Sequence, residues 1–173
     1  NLLVTDVDKT ALTELFNRWL DISRKSSTVL NTSLKGIILD INDDWKLNTT
    51  KIKSIIPTTY FNVIFAHSCV HYFAESISSI RNFVLLCKQF TSKDSYIVIT
   101  CPSGERIFNL LKDKNEWIYN ENDNVKYTIK KIYNNKSITE AGQKISVLLP
   151  FSKEKLYDEY LVNTESFKNI FEE

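Results

Sequence analysis

The sequence predicts an α/β fold, in which a parallel sheet with helices on both faces is followed by a region of antiparallel strands. Up to residue 112, short apolar runs alternate with segments whose apolar residues recur at helical spacing. These runs are continuous, as in parallel strands buried on both faces. After residue 112 apolar and polar residues alternate, as in half-exposed antiparallel strands. We therefore expect one domain in two parts, residues 1–112 and 113–173.

The first part contains four apolar runs, and each is followed by a predicted helix. Strands are expected at Leu2–Thr5, Gly36–Leu39, Tyr60–Ala66 and Tyr96–Thr100. Helices are expected at Thr10–Arg24, within Asp43–Pro57, at Ser76–Phe90 and at Ser103–Lys112. A polar loop is predicted over Ser23–Ser33.

The second part is predicted to contain strands and a final helix. The strands are expected at Val125–Tyr133, Lys144–Leu149 and Lys155–Val162. Asn163 is a residue type that caps helices, so a helix is expected through Glu165–Phe171.

Composition restricts the functional classes. The formal net charge of +1 gives no bulk argument for binding nucleic acid or membrane, and no apolar run approaches the roughly 20 residues of a membrane span. Three cysteines without paired spacing indicate free thiols in a reducing compartment. The chain begins with Asn1 and has no methionine, so we expect a piece of a longer protein, with a sheet that is incomplete at both ends. Its three glycines cannot form a G-x-G loop.

Polar residues follow the predicted strands at the carboxyl edge of the sheet, where α/β folds bind ligands. Asp6 and Asp40 each follow an apolar run, and His67 follows the third. A carboxylate at such a place can accept hydrogen bonds from a ribose diol, and a second one from an adenine amino group. Taken singly, each Asp residue is better explained by capping of the next helix, but two of them at successive strand ends favour ligand binding.

Several motifs, taken together, resemble the messenger-RNA cap guanine-N7 methyltransferases, particularly those of large cytoplasmic DNA viruses. The His71-Tyr72 pair and Glu159-Tyr160 are the more specific of them. The motifs cover nearly the whole chain: Val4–Asp8, Leu39-Asp40, His67–Tyr72, Cys101–Glu105 and Asp158–Val162.

The resemblance implies a Rossmann-like methyltransferase sheet that binds S-adenosylmethionine (SAM). Asp6 would bind the ribose hydroxyls of SAM. Asp40 would contact the adenine with Ile41 beside it, and His67 would hydrogen-bond the donor.

For the acceptor, the resemblance implies that His71 and Tyr72 line a guanine pocket and that Pro102 packs near the base. Glu159 would accept hydrogen bonds from guanine N1 and N2, because that edge offers only donors. No acid–base catalytic residue and no metal are expected. The expected partners are capped RNA and other domains or subunits of a capping enzyme, in the cytoplasm, a viral factory or the virion.

The chain departs from the family in ways that leave rival functions open. Family members usually have Gln-Phe where this chain has His67-Ser68, and the glycine-rich first loop and a C-terminal Tyr-bearing segment are absent. We therefore expect the chain alone to bind SAM poorly. A methyltransferase for another substrate and a non-catalytic, methyltransferase-like subunit are the alternatives.

Single residues also have other interpretations. His67, Cys69 and His71 suggest metal ligands, although no fourth ligand is evident. Cys69 beside a histidine suggests a nucleophile, and His71 and Tyr72 are also compatible with residues that only precede the helix near Ser76. Five lysines could meet an RNA triphosphate or form a solvated hairpin face: Lys126, Lys130, Lys131, Lys136 and Lys144.

Overall fold

The computed structural model describes residues 1–25, 32–57, 59–152 and 154–173, so residues 26–31 of the predicted loop lie outside the described part. The strands are β1 (Leu2–Asp6), β2 (Leu34–Ile38), β3 (Val63–His67), β4 (Tyr96–Thr100), β5 (Glu116–Glu121), β6 (Asn124–Lys131), β7 (Lys144–Leu148) and β8 (Leu156–Tyr160). The helices are α1 (Lys9–Lys25), α2 (Trp45–Ile55), α3 (Val70–Phe73), α4 (Ile77–Gln89), α5 (Gly104–Leu110) and α6 (Thr164–Glu172).

The first four strands form two parallel pairs. Strand β1 pairs with β2, so that Asp6 lies opposite Ile38, and β3 pairs with β4, so that His67 lies opposite Thr100. In the described part of the chain no ladder joins one pair to the other. Leu3 of β1 and Ile64 of β3 nevertheless pack against the same core cluster, which is centred on Leu39. Both pairs therefore share helices, and the predicted α/β class is confirmed.

The two parallel pairs are covered differently. On one face of the β1–β2 pair, α1 packs directly against Gly36, where an added Cβ would lie 2.7 Å from the Phe16 ring. On the other face, Ile37 packs into the core cluster that contains Leu39. On β3–β4, the face that carries Ala66 packs against α4 and α6. The other face is open to solvent, with Phe65 61% exposed. The expected burial of these strands on both faces is therefore wrong for β3–β4, because the described helices cover only one side of this pair.

Strands β5 to β8 form an antiparallel sheet in chain order. The alternating pattern predicts β6, β7 and β8, but it misses β5 and the single-turn helix α3. Strand β3 begins at Val63 and not at Tyr60, because Phe61 N–H donates instead to the Phe90 carbonyl at the end of α4.

Helix α6 returns to the first part of the chain. The Asn163 side chain accepts from Ser166 N–H at 3.0 Å, which is the predicted cap. Phe167 and Ile170 then enter the core around α4. The division near residue 112 stays a prediction. No helix in the described residues is both long enough and apolar enough to cross a bilayer.

Candidate functional site

Asp6 and Asp40 lie at the ends of neighbouring strands, where the Leu39 N–H donates to the Asp6 carbonyl. Their carboxylates act alike. Asp6 Oδ1 accepts from the Asp8 N–H and Asp40 Oδ1 accepts from the Asn42 N–H, both at 2.9 Å. Within the described residues, the second oxygen of each carboxylate accepts no protein hydrogen bond.

Helix capping, the alternative for these two carboxylates, is performed by other residues. Asp8 accepts from the Thr10 N–H at 2.7 Å at the start of α1. Asp44 accepts from Lys46 N–H at 2.8 Å at the start of α2. Asp6 and Asp40 instead shape the turns at the edge, and each keeps an oxygen available for a ligand.

Asn48, a residue that the sequence analysis does not single out, hydrogen-bonds the loop after β2. Asn48 is fully buried and donates from Nδ2 to the Asp40 carbonyl at 2.8 Å. The side-chain oxygens of Asn48 and Asn42 are buried without a hydrogen-bond partner among the described residues. Ile41 is half-buried between two core clusters. The loop that carries Asp40 is therefore rigid and contains unsatisfied acceptors, which buried polar groups seldom remain.

His67 lies at the same edge but on the open face of β3. Its ring stacks on Phe65, with 5.7 Å between ring centroids, and Nδ1 hydrogen-bonds the Thr100 hydroxyl. Neither partner is another predicted donor-binding residue, so the role of His67 toward the methyl donor stays a prediction.

The chain turns sharply after β3 and places His71 next to Glu159. Ser68 has a φ of 50°, a left-handed conformation that is uncommon for a residue other than glycine. It leads into α3, which packs against β8. His71 Nε2 consequently lies 3.7 Å from Glu159 Oε1, and both side chains are nearly inaccessible. The ring of Tyr72 lies 4.2 Å from that of His71 and is 46% exposed.

Burial sets the charge of this pair. It lowers the pKa of His71 to about 4 and raises the pKa of Glu159 above its usual range. At neutral pH the imidazole is therefore uncharged. The 3.7 Å separation is longer than a hydrogen bond, and both ring nitrogens of His71 lack partners in the described part of the protein. At neutral pH the contact is therefore not an ion pair. The two polar side chains lie side by side without a hydrogen bond between them.

The carboxylates of β1 and β8 lie around the same tyrosine. The pKa of the Tyr72 hydroxyl is raised first by burial, then by the charge of Glu159 and, more weakly, by that of Asp6. The pKa of Cys69 is raised by burial and then by the same Asp6. Asp6, Tyr72 and Glu159, which are far apart in sequence, are therefore brought to one edge of the fold.

Pro102 lies exposed just after β4, and the residues that follow it join the two parts of the chain. The Glu105 carboxylate accepts from the backbone N–H and the hydroxyl of Thr164, each at 2.8 Å, and from the Ser103 hydroxyl. Gly104 N–H donates to the Val162 carbonyl at 3.1 Å. This motif therefore fastens the end of β8 to the end of β4.

The geometry also bears on the alternative chemistries of single residues. No group of three or more His, Cys, Asp and Glu side chains suited to a metal ion occurs among the described residues. Because burial and the charge of Asp6 raise the pKa of Cys69, the thiolate that a nucleophile needs is disfavoured.

Four of the five lysines have partners within the protein. Lys126, Lys130 and Lys144 form ion pairs with Glu121, Glu116 and Asp158 at 3.2, 3.6 and 3.0 Å. Lys131 Nζ donates to the Leu111 carbonyl, whereas Lys136 is exposed. These contacts favour the solvated hairpin face over the contact with an RNA triphosphate.

The candidate residues differ in exposure: His71 and Glu159 are buried, whereas Asp40, His67, Tyr72 and Pro102 are exposed. A cavity of about 560 Å³ lies elsewhere, between the starts of α4 and α6, and is lined by residues such as Glu75, Thr139 and Asn163. None of the eight predicted site residues contributes to its wall.

Comparison with known proteins shows what the chain is similar to. It is 32% and 31% identical to the mRNA-capping enzymes of two African swine fever virus isolates, from a Kenyan pig and a South African tick. Each alignment covers 99% of this chain, and the chain spans about a fifth of the length of these curated relatives, 20% in each case. A crystal structure of a SAM-dependent methyltransferase from Clostridium acetobutylicum matches with a TM-score of 0.61 at 12% identity, over 99% of this chain and 62% of that one.

The chain resembles a viral capping-enzyme methyltransferase domain. The predicted resemblance is thus confirmed, and the predicted Rossmann-like methyltransferase fold is confirmed as well. No family model matches the chain. The methyltransferase fold accounts for the position of the site, since ligands of such folds bind beyond the carboxyl ends of the strands.

Proposed function

We propose that this chain carries out the methyl transfer of a viral mRNA-capping enzyme, from SAM to N7 of the cap guanine. One observation supports this proposal above the others: the buried carboxylate of Glu159 faces an uncharged His71 beside the Asp6 edge. The alignment of 99% of the chain with viral capping enzymes supports the same acceptor. We place the donor part in residues 1–112, the cap-binding part in residues 113–173, and the protein in the cytoplasm or virion.

The residues at the ends of β1 and β2 fit the adenosine half of SAM. The available oxygen of Asp6 accepts from the ribose hydroxyls, which are donors. The available Asp40 oxygen offers an acceptor to the adenine amino group, and Ile41 gives the purine an apolar contact.

We assign recognition of the guanine to Glu159. Guanine N1 and N2 present donors side by side, and a carboxylate accepts both. His71 positions that carboxylate: shortening the 3.7 Å separation to the roughly 3 Å of a hydrogen bond lets a ring N–H donate to it. Tyr72 lies between this pair and Asp6, and we assign it, with Pro102, to the walls around the base.

The chemistry needs orientation more than proton transfer. SAM, when bound, supplies a methyl group on a positively charged sulfur. Guanine N7 has a free lone pair at neutral pH, so no side chain has to remove a proton. The protein residues therefore contribute by holding the acceptor in line, and orientation of this kind lowers barriers by roughly 7–11 kcal/mol.

The test is a methyl-transfer assay on the full-length natural protein. GpppA-capped RNA and radiolabelled SAM are incubated with wild-type protein and with the Glu159→Ala and Asp6→Asn variants. We expect labelled 7-methylguanosine after nuclease digestion. The Michaelis constant for RNA should rise in Glu159→Ala, and the Michaelis constant for SAM should rise in Asp6→Asn. A loss of about 2–4 kcal/mol in kcat/KM fits a buried carboxylate contact. A label on ribose or on an internal base would overturn the proposal.

One observation favours a second function, that of a non-catalytic capping subunit. All three glycines have other roles: Gly36 lies against Phe16, Gly104 against Val162, and Gly142 occupies a turn with a φ of 84°. None of these three glycines is available to hold the methionine half of SAM. Cap binding without any methyl transfer, in the same assay, would select this alternative.

A further inference from the structure

One face of the antiparallel sheet carries aromatic rings that the proposed guanine contact does not use. On this face Tyr157 lies two residues before Glu159 on β8. The register places Tyr157 opposite Val147, and Val147 opposite Ile129. Tyr127 lies two residues before Ile129 on β6, and it is opposite Tyr119 of β5. The three tyrosines therefore share the face on which Glu159 is presented.

The exposure of this face changes along the strands. Near α5 it is closed, because Ile145 and Val147 are buried there in a cluster with Leu111. Beyond that helix it is open: the tyrosines at positions 119, 127 and 157 are 45, 41 and 39% exposed. Large aromatic rings in a row on an open sheet are unusual unless they meet a partner.

One end of the row adjoins the proposed guanine pocket, because Tyr157 lies two residues before Glu159 on the same face of β8. The charges of Glu159 and Tyr157 also both act on the Tyr72 hydroxyl. Tyr119 and Tyr127 form the other end, with 6.0 Å between their ring centroids, and Val147 and Ile129 lie between them and Tyr157. Strands are spaced about 4.8 Å apart, so the row leads roughly 14 Å away from β8.

We infer that this surface, formed by Tyr119, Tyr127 and Tyr157 and here named the tyrosine row, binds the first single-stranded nucleotides that follow the cap. The inference rests on the proposed function, because the cap guanine in the Glu159 pocket fixes where the RNA begins. Base stacking on exposed aromatic rings tolerates any sequence, as a substrate with variable 5′ nucleotides requires. Four-stranded sheets that bind RNA stack two or three bases in this manner.

The charges near the row predict weak contact with phosphates. Lys155 Nζ lies 5.3 Å from the centroid of the Tyr157 ring and supplies one cation. Lys126 and Lys130 alternate with Tyr127 along β6, so they lie on the opposite face of the sheet, where they are paired with acidic residues. We therefore expect binding through this surface to depend little on salt, with a slope near −0.7 for one phosphate.

The test compares substrate length in the full-length protein. Michaelis constants are measured for the GpppA dinucleotide and for capped oligoribonucleotides of three and six nucleotides. The variants are the double substitutions Tyr119→Ala/Tyr127→Ala and Tyr119→Phe/Tyr127→Phe, with Tyr96→Ala as a matched control, since Tyr96 is an exposed strand tyrosine on β4.

We expect the wild-type protein to favour the capped hexamer over the dinucleotide by at least about tenfold, as one or two stacked bases provide. The alanine pair should lose that preference while its kinetics on the dinucleotide stay unchanged. The phenylalanine pair and Tyr96→Ala should retain it.

Three results would overturn the inference: equal constants for dinucleotide and hexamer in the wild type, no change in the alanine pair, or an equal loss on both substrates. A fall in melting temperature of the alanine pair without any length effect would also overturn it, and would show that another part of the protein covers the row. A length effect on the Michaelis constants with the methyl group placed elsewhere than on guanine N7 supports the tyrosine row and refutes the proposed function. N7 methylation without a length effect does the reverse.

Discussion

At the scale of single residues, the buried pair of His71 and Glu159 decides how the site responds to pH. Burial shifts the two pKa values in opposite directions, to about 4 for His71 and upward for Glu159. Above the raised pKa of Glu159 the pocket therefore offers one carboxylate and one neutral ring. This is the charge state that suits a neutral guanine edge with two donors.

We predict that cap binding weakens as the pH falls towards the raised pKa of Glu159, because only the ionised carboxylate accepts both hydrogen bonds. Glu159→Gln should bind cap analogue more weakly than the wild type at neutral pH, and its binding should depend little on pH. Fluorescence titration of a cap analogue at each pH measures both. A wild-type profile that stays flat at every pH where the protein is folded contradicts the assignment.

The stability of the folded protein also depends on pH, so the binding titration needs a stability control. The pKa of His71 is lower in the folded state than its ordinary value of 6.5, so the unfolded state binds protons more readily between these values. The stability linked to His71 is therefore complete above pH 6.5 and is lost as the pH falls towards 4. Circular dichroism at each pH separates loss of fold from loss of binding.

At the scale of elements, the segment from Ser103 to Glu105 holds the end of β8 and the start of α6 in place. Gly104 permits the close approach of α5 to the end of β8, since an added Cβ would lie 2.4 Å from the Val162 carbonyl oxygen. The Glu105 carboxylate tethers the start of α6. Burial alone would raise the pKa of Glu105, but hydrogen bonds from backbone groups and from the Ser103 and Thr164 hydroxyls outweigh it and lower the pKa. This tether is therefore retained above pH 4.5 and is lost as the pH falls through the lowered value.

We predict that Gly104→Ala destabilises the protein by about 1–3 kcal/mol, because the new methyl group must displace backbone. Gly36→Ala is the matched comparison, since its Cβ would meet the far end of the Phe16 ring, which can turn aside. Urea denaturation of both variants measures the difference. Equal losses would mean that the contact with the backbone of β8 is not the constraint.

Much of this scale could be predicted from the sequence, and the misses have physical causes. The run Tyr96–Thr100 is a strand with the predicted bounds, because its pattern is unbroken and its ends are polar. Helix α3 is four residues long, too short for any periodicity to show. The exposed face of β3 could not be predicted, since an apolar run indicates burial without saying which elements provide the cover.

The candidate site could be predicted only in part. Motifs predict Asp6, Asp40, His71 and Glu159 as site residues, and the structure places the ends of β1 and β2 side by side and His71 beside Glu159. Asn48 was missed because its role is to satisfy a backbone carbonyl eight residues away, which no local pattern reveals. The tyrosines of β5 and β6 were missed because their register across the sheet decides whether they share a face with Glu159.

At the scale of the whole molecule, the open face of β3–β4 dominates the behaviour expected in solution. Val63, Phe65, Tyr96 and Val98 are 55, 61, 71 and 41% exposed, on adjacent strands. Contiguous apolar surface of this kind promotes association unless another element covers it.

We predict that the 173-residue chain, expressed alone, self-associates as its concentration rises, and that Val63→Thr/Phe65→Thr reduces this association. Threonine keeps the β-branched shape that strands favour, so the pairing of β3 with β4 should survive. Sedimentation velocity over a range of concentrations measures the effect. A wild-type chain that stays monomeric at all concentrations contradicts the prediction.

The residues of the candidate site are far apart in the sequence, and this affects how ligands can be screened. Asp6, Tyr72 and Glu159 come from its beginning, middle and end, so no partly folded form can present all three. A compound that occupies the site must then act on the cooperative unfolding of the entire domain, with about 2.7 kcal/mol of added stability at a hundredfold excess over its Kd. A thermal-shift screen of nucleosides and cap analogues can therefore detect occupancy before any turnover has been measured.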